Sequence, residues 1–83
     1  LAYARLGEPR KAIEHYEQAL KISREIGYRR GEANTHWNMS LAQDSLGKRS
    51  DAVGLAKEAL AIYEQIESLY AGRVRQQLAE WQQ

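Results

Sequence analysis

Apolar residues recur at helical spacing in two long stretches of the chain. The first stretch has its apolar positions at Ala12, Tyr16, Ala19, Leu20 and Ile26. The second has them at Ala52, Ala56, Ala59, Leu60, Tyr63 and Ile66. Spacings of three, four and seven residues put each set on one face of an α-helix. No stretch alternates apolar and polar residues as a half-buried strand does, so the pattern predicts an all-α chain.

The two stretches are copies of one another at an offset of 40 residues. The paired positions are Leu6-Gly7 with Leu46-Gly47, Ala12 with Ala52, Ala19-Leu20 with Ala59-Leu60, Ile22 with Ile62, and Ile26 with Ile66. Seven identities fall within Leu6–Ile26, where average residue usage would give roughly one. Two copies that share their apolar residues and glycines but differ at their polar positions are typical of a helical repeat array.

Glycines mark the expected turns between helices. Gly7 and Gly47 follow helical stretches and are expected to take the left-handed conformation that ends a helix. Gly27 and Gly31 are expected to punctuate the next junction. The sequence thus predicts short links, and short links make neighbouring helices antiparallel.

Residues suited to helix starts complete the boundaries. Pro9 suits a first helical turn, and Ser50-Asp51 offers a side-chain cap and a negative charge to the second copy. After the end of a helix at Leu1–Leu6, we predict helices at Pro9–Ile26, Glu32–Leu46, Ser50–Leu69 and Tyr70–Gln82.

Composition narrows the class of protein. Charged residues make up 28% of the 83 residues and hydrophobic residues 43%, which is typical of a globular chain rather than a disordered one. No apolar run approaches the ~20 residues that a membrane span requires. A net charge of +1 gives no general attraction to nucleic acid, and the absence of cysteine suits a reducing, cytoplasmic location. Because the chain starts at Leu1, we expect it to be a piece of a longer protein.

The segment from Leu6 to Ile22 resembles the tetratricopeptide repeat, with its turn glycine, its two small residues and the aromatic between them. The copy from Leu46 to Ile62 resembles it again, with Ala56 where Tyr16 stood. The 40-residue period is similar to the longer-repeat subgroup that includes kinesin light chain, spindle-orientation adaptors and bacterial signalling proteins. The resemblance implies a right-handed solenoid of antiparallel helix hairpins, divided into a truncated repeat (1–32), a full repeat (33–72) and a capping helix (73–83).

The resemblance also implies a binding role rather than catalysis, with the first helix of each pair lining a groove for a protein or peptide partner. The residues expected to face that groove are Asn34, Trp37, Asn38, Leu41 and Ser45, with Asp44 beside them. In relatives, an asparagine at the place of Asn38 bonds the backbone of the bound peptide; the alternative is a solvated or inter-repeat asparagine. Trp37 is either an aromatic anchor for the partner or a packing residue between repeats.

The resemblance has limits that affect the choice of partner. Members that grip a terminal carboxylate need basic residues where this chain has Asn34, Leu41, Val74 and Leu78. Recognition of acidic termini is therefore not expected. A more apolar contact, or no contact in this terminal part, is expected instead.

No constellation predicts an enzyme, a metal site or a cofactor. His15 and His36 lie on different predicted helices without cysteines nearby, which does not match the clustered ligands of a zinc site. A modest basic patch at Arg29-Arg30 and Arg73 to Arg75 is too small to predict nucleic-acid binding.

Two further possibilities stay open. The chain could instead be the C-terminal regulatory or sensor repeats of a larger bacterial signalling protein, acting on a domain outside this sequence. Because the first repeat is truncated, Ile13 and Tyr16 are expected to lose cover, and this face is expected to self-associate.

Overall fold

The structure is a computed structural model, and it describes residues 9–66 and 69–82. These residues form four helices, α1 (Pro9–Ile26), α2 (Arg29–Ser45), α3 (Arg49–Gln65) and α4 (Tyr70–Trp81). No strand occurs in the two described ranges. The all-α class predicted from the apolar spacing is confirmed. The predicted helix end at Leu1–Leu6 lies outside the described residues.

Each helix packs on the next one along the chain, α1 on α2, α2 on α3, and α3 on α4. The larger apolar core lies between α2, α3 and α4, and includes Ala33, Ala56, Ala59, Tyr63, Val74 and Leu78. A smaller core joins α1 to α2 through Ala12, Tyr16 and Met39. Alanines at the contacts let the helix axes approach closely, so successive helices stack as in a helical repeat array.

Two glycines close the ends of α1 and α2 in the same way. Gly27 and Gly47 have φ angles of +72° and +77°, a region open to glycine at little cost. After each glycine, the next backbone N–H donates to a carbonyl of the last helical turn, Tyr28 to Ser23 and Lys48 to Gln43. The turn predicted at Gly47 is confirmed, whereas Gly7 lies outside the described residues.

The boundaries of α2 and α3 differ from the predicted ones by one to four residues, and the roles predicted for Gly31 and Ser50 are wrong. Helix α2 begins at Arg29, so Gly31 lies inside its first turn and does not mark a junction. Helix α3 begins at Arg49, so Lys48 takes the N-cap position without a side-chain cap, and Ser50 lies within the helix. Helix α3 also ends at Gln65 rather than Leu69, although no glycine or proline in the sequence marks that end.

The solvent exposure of the apolar residues of α1 also differs from the prediction that Ile13 and Tyr16 lose their cover. Tyr16 is buried against Ala12 and Met39, and Ile13 is half-buried against the same cluster. The predicted loss of cover at Tyr16 is therefore wrong, because α2 shields it. The uncovered apolar residues of α1 are instead Ile22 and Ile26, one helical turn apart.

Candidate partner-binding site

Four of the five predicted contact residues share one face of α2. Asn34, Asn38, Leu41 and Ser45 are spaced by four, three and four residues, which keeps them on one side of a helix. Each is half-buried or exposed, whereas the opposite arc of α2 is buried. The face predicted to meet a partner is therefore the one that α1 and α3 leave open.

A concave site of about 280 Å³ lies beside the first half of this face. Helix α2 supplies two amides and an indole to it, α3 supplies one tyrosine, and α4 supplies another. The residues that line it are Asn34, Trp37, Asn38, Tyr63 and Tyr70. Polar groups from one helix thus stand over aromatic rings from two others, an arrangement suited to binding a peptide.

The amide of Asn34 is oriented by a hydrogen bond from α3. The phenolic hydroxyl of Tyr63 donates to Oδ1 of Asn34, and the ring of Tyr63 is 1% exposed. Burial, reinforced by nearby Tyr70 and opposed by Arg30, raises the pKa of Tyr63 to about 12. The hydroxyl therefore stays protonated at neutral pH and remains a donor. Because Oδ1 already accepts this hydrogen bond, the groups that Asn34 can offer to a partner are chiefly its two N–H donors.

Asn38 lies one turn further along α2 and lines the same concave site. Its side chain is half-buried and makes no hydrogen bond to any described residue. Both its carbonyl oxygen and its amide hydrogens are available to a partner.

Trp37 packs against the core rather than standing out from it. Its ring centroid lies 6.2 Å from that of Trp81 in α4, with an interplanar angle of 35°. The guanidinium of Arg49 lies 5.5 Å from the Trp81 ring, on the same aromatic cluster. Of the two roles weighed for Trp37, this geometry favours packing between repeats, with one edge of the ring left in the concave site.

Leu41 and Ser45 lie beyond the concave site on the same face of α2. Leu41 is 39% exposed and presents an apolar surface to solvent. The hydroxyl of Ser45 donates to the carbonyl oxygen of Leu41 at 3.1 Å, the usual back-bond of a helical serine. These two residues could extend a partner contact, but they do not line the concave site.

The sequence did not reveal the aromatic wall of the site. Tyr63 and Tyr70 have ring centroids 5.7 Å apart, and the guanidinium of Arg73 lies 5.8 Å from the Tyr70 ring. The sequence pattern predicts Tyr63 only as part of an apolar helix face and Tyr70 only as a helix start. Their convergence on Asn34 depends on how α3 and α4 dock, which a periodicity does not record.

The positions compared with carboxylate-gripping relatives have different environments. Asn34 and Leu41 lie on the open face of α2, whereas Val74 and Leu78 are buried in the larger core. None of the four brings a positive charge to the site.

The described residues contain no group of three or more His, Asp or Glu side chains placed to hold a metal ion. His36 is 3% exposed, with Nδ1 3.2 Å from Oε2 of Glu58 and Nε2 4.0 Å from Oε2 of Glu32. Burial lowers the pKa of His36 despite the two carboxylates, and Arg24 and Arg29 oppose those carboxylates. Within the same ranges, no helix is both long enough and apolar enough to cross a bilayer.

Successive helices stacked by small residues, with two amides on the open face of α2, define a helical repeat protein. A family model for the tetratricopeptide repeat matches residues 1–65. The chain therefore belongs to the tetratricopeptide repeat family, whose repeats generally mediate protein–protein interactions and are typically not catalytic. No curated protein and no solved structure matches the chain.

Proposed function

We propose that this chain is a non-catalytic scaffold that binds an extended segment of a partner protein along the open face of α2. The observation that carries the proposal is the pair of amides, Asn34 and Asn38, held over Tyr63 and Tyr70 in one concave site. The half-buried amide of Asn38 is left open to a partner, because it bonds no described residue.

The spacing of the two amides fits an extended backbone. Four residues of helix rise about 6 Å, and two residues of a strand rise roughly 6.6 Å. Asn34 and Asn38 can therefore each meet a backbone group of a partner, two residues apart in that segment. Asn38 can both donate and accept, while the Asn34 amide donates because Tyr63 occupies its oxygen.

The rest of the open face supports a contact of mixed character. Leu41 offers apolar surface beyond the amides, and Ser45 adds a polar edge at the end of α2. Trp37 contributes the edge of its ring while Trp81 holds it in place. A partner segment with alternating backbone and apolar contacts fits this order of side chains.

The 40-residue offset supports the longer-repeat subgroup of the family and a division into a truncated repeat (1–32), a full repeat (33–72) and a capping helix (73–83). Among the described residues, α4 has the polar outer face expected of such a cap. The absence of cysteine supports a reducing compartment such as the cytoplasm.

Selection from a display library of short unstructured peptides tests the proposal. We expect the selected peptides to shift the side-chain amide signals of Asn34 and Asn38 in nuclear magnetic resonance spectra. Asn38→Ala should weaken binding about tenfold, since the loss of two hydrogen bonds costs about 1.4 kcal/mol or more. Its circular dichroism should stay helical.

Gln76→Ala is the matched control, because Gln76 is an exposed amide on α4 outside the site. It should bind the selected peptides as the wild-type chain does. Peptides that bind Asn38→Ala with unchanged affinity would show that recognition takes place elsewhere.

A further inference from the structure

A second hollow adjoins the concave site of the proposed function. This adjoining hollow has a volume of about 290 Å³ and is lined by Leu69, Tyr70 and Arg73. Tyr70 also lines the concave site, so the two are continuous across its ring. Leu69 is 98% exposed and Tyr70 is 49% exposed, which leaves apolar surface open to solvent. A segment bound along the open face of α2 can therefore continue onto the start of α4.

The starts of α2 and α4 lie at the same end of α3. The guanidinium of Arg29, the first residue of α2, donates at 2.6 Å to the side chain of Gln65, the last residue of α3. Helix α4 begins at Tyr70, whose ring centroid lies 5.7 Å from that of Tyr63 near the end of α3. Side chains in the first turns of α2 and α4 therefore flank the same pair of aromatic rings.

Two arginines in these first turns have no carboxylate partner. Elsewhere in the described residues, ion pairs of 2.7 to 3.3 Å join Arg24 and Arg29 to Glu32, Arg49 to Asp44, and Arg75 to Glu64. Arg30 and Arg73 are exposed and form no ion pair with any carboxylate in the ranges 9–66 and 69–82. Each of the two basic runs noted in the sequence thus keeps one arginine whose charge is not compensated there.

Arg30 lies on the open face of α2, one turn before Asn34. The spacing of four residues from Arg30 to Asn34 repeats from Asn34 to Asn38, which keeps all three on one side of the helix. Burial raises the pKa of Tyr63 to about 12, and the positive charge of Arg30 opposes that rise. This opposition is consistent with a guanidinium on the side of α2 that faces Tyr63. Arg30 therefore extends the row of amides toward the start of α2.

Arg73 is held over the ring of Tyr70. Its guanidinium carbon lies 5.8 Å from the ring centroid, within the range of a cation–π contact. A guanidinium over a ring still presents N–H donors at its edge, where an oxygen can bind them. No carboxylate of the described residues lines the concave site or the adjoining hollow. The combined surface is therefore aromatic with an uncompensated positive charge.

We propose that the partner segment carries an acidic side chain whose carboxylate binds the guanidinium of Arg30, with Arg73 as a second positive charge at the same end of the site. The inference rests on the proposed function, because the amides of Asn34 and Asn38 set where the segment lies. Four residues of helix rise about 6 Å, as do two residues of an extended segment. The acidic residue therefore lies two positions from the residue whose backbone meets Asn34.

This recognition differs from the grip on a terminal carboxylate. The four positions at which carboxylate-gripping relatives carry basic residues bring no charge here, and Arg30 and Arg73 are not among them. The expected ligand is therefore a side chain of aspartate or glutamate within the bound segment, and the probes that test it have both ends blocked.

Titration of the isotope-labelled 83-residue chain tests the proposal with two blocked nine-residue peptides of serine and valine. One carries glutamate at its centre and the other glutamine, a neutral side chain of nearly the same shape. Central placement leaves four residues on either side to reach Asn34 and Asn38, whichever way the segment runs. We expect both peptides to shift the side-chain amide signals of Asn38, and the glutamate peptide to bind about fivefold more tightly at low salt. Added salt should shrink this preference, because it screens exposed charges.

Variants at the two arginines make the assignment specific. Arg30→Gln and Arg73→Gln should each reduce the preference for glutamate to about twofold, and the double variant should abolish it. Arg73→Lys should retain the preference, because lysine keeps the charge. Arg10→Gln is the control: Arg10 is an exposed arginine of α1 outside both hollows, and its replacement makes the same change in net charge.

The outcomes separate this inference from the proposed function. Equal affinities of the two peptides for the wild-type chain, or an undiminished preference in the double variant, would overturn the acidic side chain. The proposed function stands in that case if both peptides lose affinity for Asn38→Ala. Binding by neither peptide would also overturn the acidic side chain, since the amides and arginines together should hold such a segment, and the display selection then decides the proposed function.

Discussion

The hydroxyl of Tyr63 donates to Oδ1 of Asn34, so a residue near the end of α3 fixes an amide in the first half of α2. The two residues are 29 positions apart in the chain. This bond joins the two helices on the open face of α2 and sets which atoms of Asn34 a partner meets.

Tyr63→Phe removes this bond and keeps the ring in the core. We expect the free energy of unfolding to fall by about 1 kcal/mol, because a buried hydroxyl bond is lost and Oδ1 of Asn34 keeps only solvent. Urea denaturation measures the change. Tyr28→Phe is the control, since Tyr28 is exposed and makes no hydroxyl bond to a described residue. Equal stability of Tyr63→Phe and the wild type would contradict the assignment.

The burial of Tyr63 also predicts a response to alkali. The pKa of Tyr63 is 10.0 in an unfolded chain and about 12 in the fold, so the protonated phenol stabilises the fold below pH 10. This contribution should be lost as the pH rises from 10 towards 12, because the unfolded state releases the proton first. Urea denaturation at a series of pH values in that range measures the free energy of unfolding. It should fall less steeply with rising pH for Tyr63→Phe than for the wild-type chain.

His36 predicts the opposite response on the acid side. Its pKa is lowered from 6.5 by burial, so the unfolded chain takes up a proton before the folded chain does. The contribution of the neutral His36 ring to the free energy of unfolding is complete above pH 6.5. It should decline as the pH falls from 6.5 towards the lower pKa of the folded state. Urea denaturation at a series of pH values measures the decline.

The surroundings of His36 set the size of that effect. Glu58 and Glu32 favour the protonated ring, while Arg24 and Arg29 disfavour it. His36→Gln has no titrating group and should lose the part of the decline that begins at pH 6.5. An identical acid profile for this variant and the wild type would show that other groups cause the decline.

The repeat was predictable from the 40-residue periodicity, whereas the choice of the open face of α2 came from the resemblance to the tetratricopeptide repeat. The 40-residue offset located the turn at Gly47, and helical spacing placed Asn34, Asn38, Leu41 and Ser45 together. The grouping of these side chains is local, because it depends only on residues within a few turns of one helix.

Features that depend on docking between helices were not predictable in this way. Tyr63 and Tyr70 complete the concave site only because α4 packs on α3 at a particular angle. The end of α3 at Gln65 was missed because no glycine follows it. Gly31 does not mark a turn: it accommodates the ring of Tyr28 and the side chain of Ser23, and such a close approach requires the same residue in the sequence as a turn does.

Gly31 therefore provides a test of how the first turn of α2 packs against Tyr28 and Ser23. A Cβ at this position would lie 2.5 Å from Cδ2 of Tyr28 and 2.9 Å from Oγ of the buried Ser23. Gly31→Ala should lower the free energy of unfolding by roughly 1 kcal/mol or more, since overpacking outweighs the gain in helix propensity. Thermal or urea denaturation measures it.

Gly54→Ala is the matched comparison, because Gly54 is also helical but has open space at its Cβ. It should raise the free energy of unfolding by up to about 1 kcal/mol. If both substitutions stabilise the chain, the close contact at Gly31 does not constrain the fold.

Self-association of the chain is expected through Ile22 and Ile26 of α1 rather than through Tyr16. Tyr16 is covered by α2, whereas Ile22 and Ile26 of α1 are 57% and 70% exposed and lie one turn apart on one face. Apolar side chains that share a face gain free energy when a second copy covers them, since burial removes their surface from water. We expect weak, concentration-dependent dimers in analytical ultracentrifugation.

The double variant Ile22→Gln with Ile26→Gln should shift the chain to monomer, because it removes the apolar surface and keeps helix-compatible side chains. Leu69→Gln is the control: Leu69 is 98% exposed but lies in the turn before α4, apart from α1. Dimers that persist in the double variant and vanish in Leu69→Gln would place the contact at the turn before α4 instead. A wild-type chain that stays monomeric into the millimolar range would refute self-association through either surface.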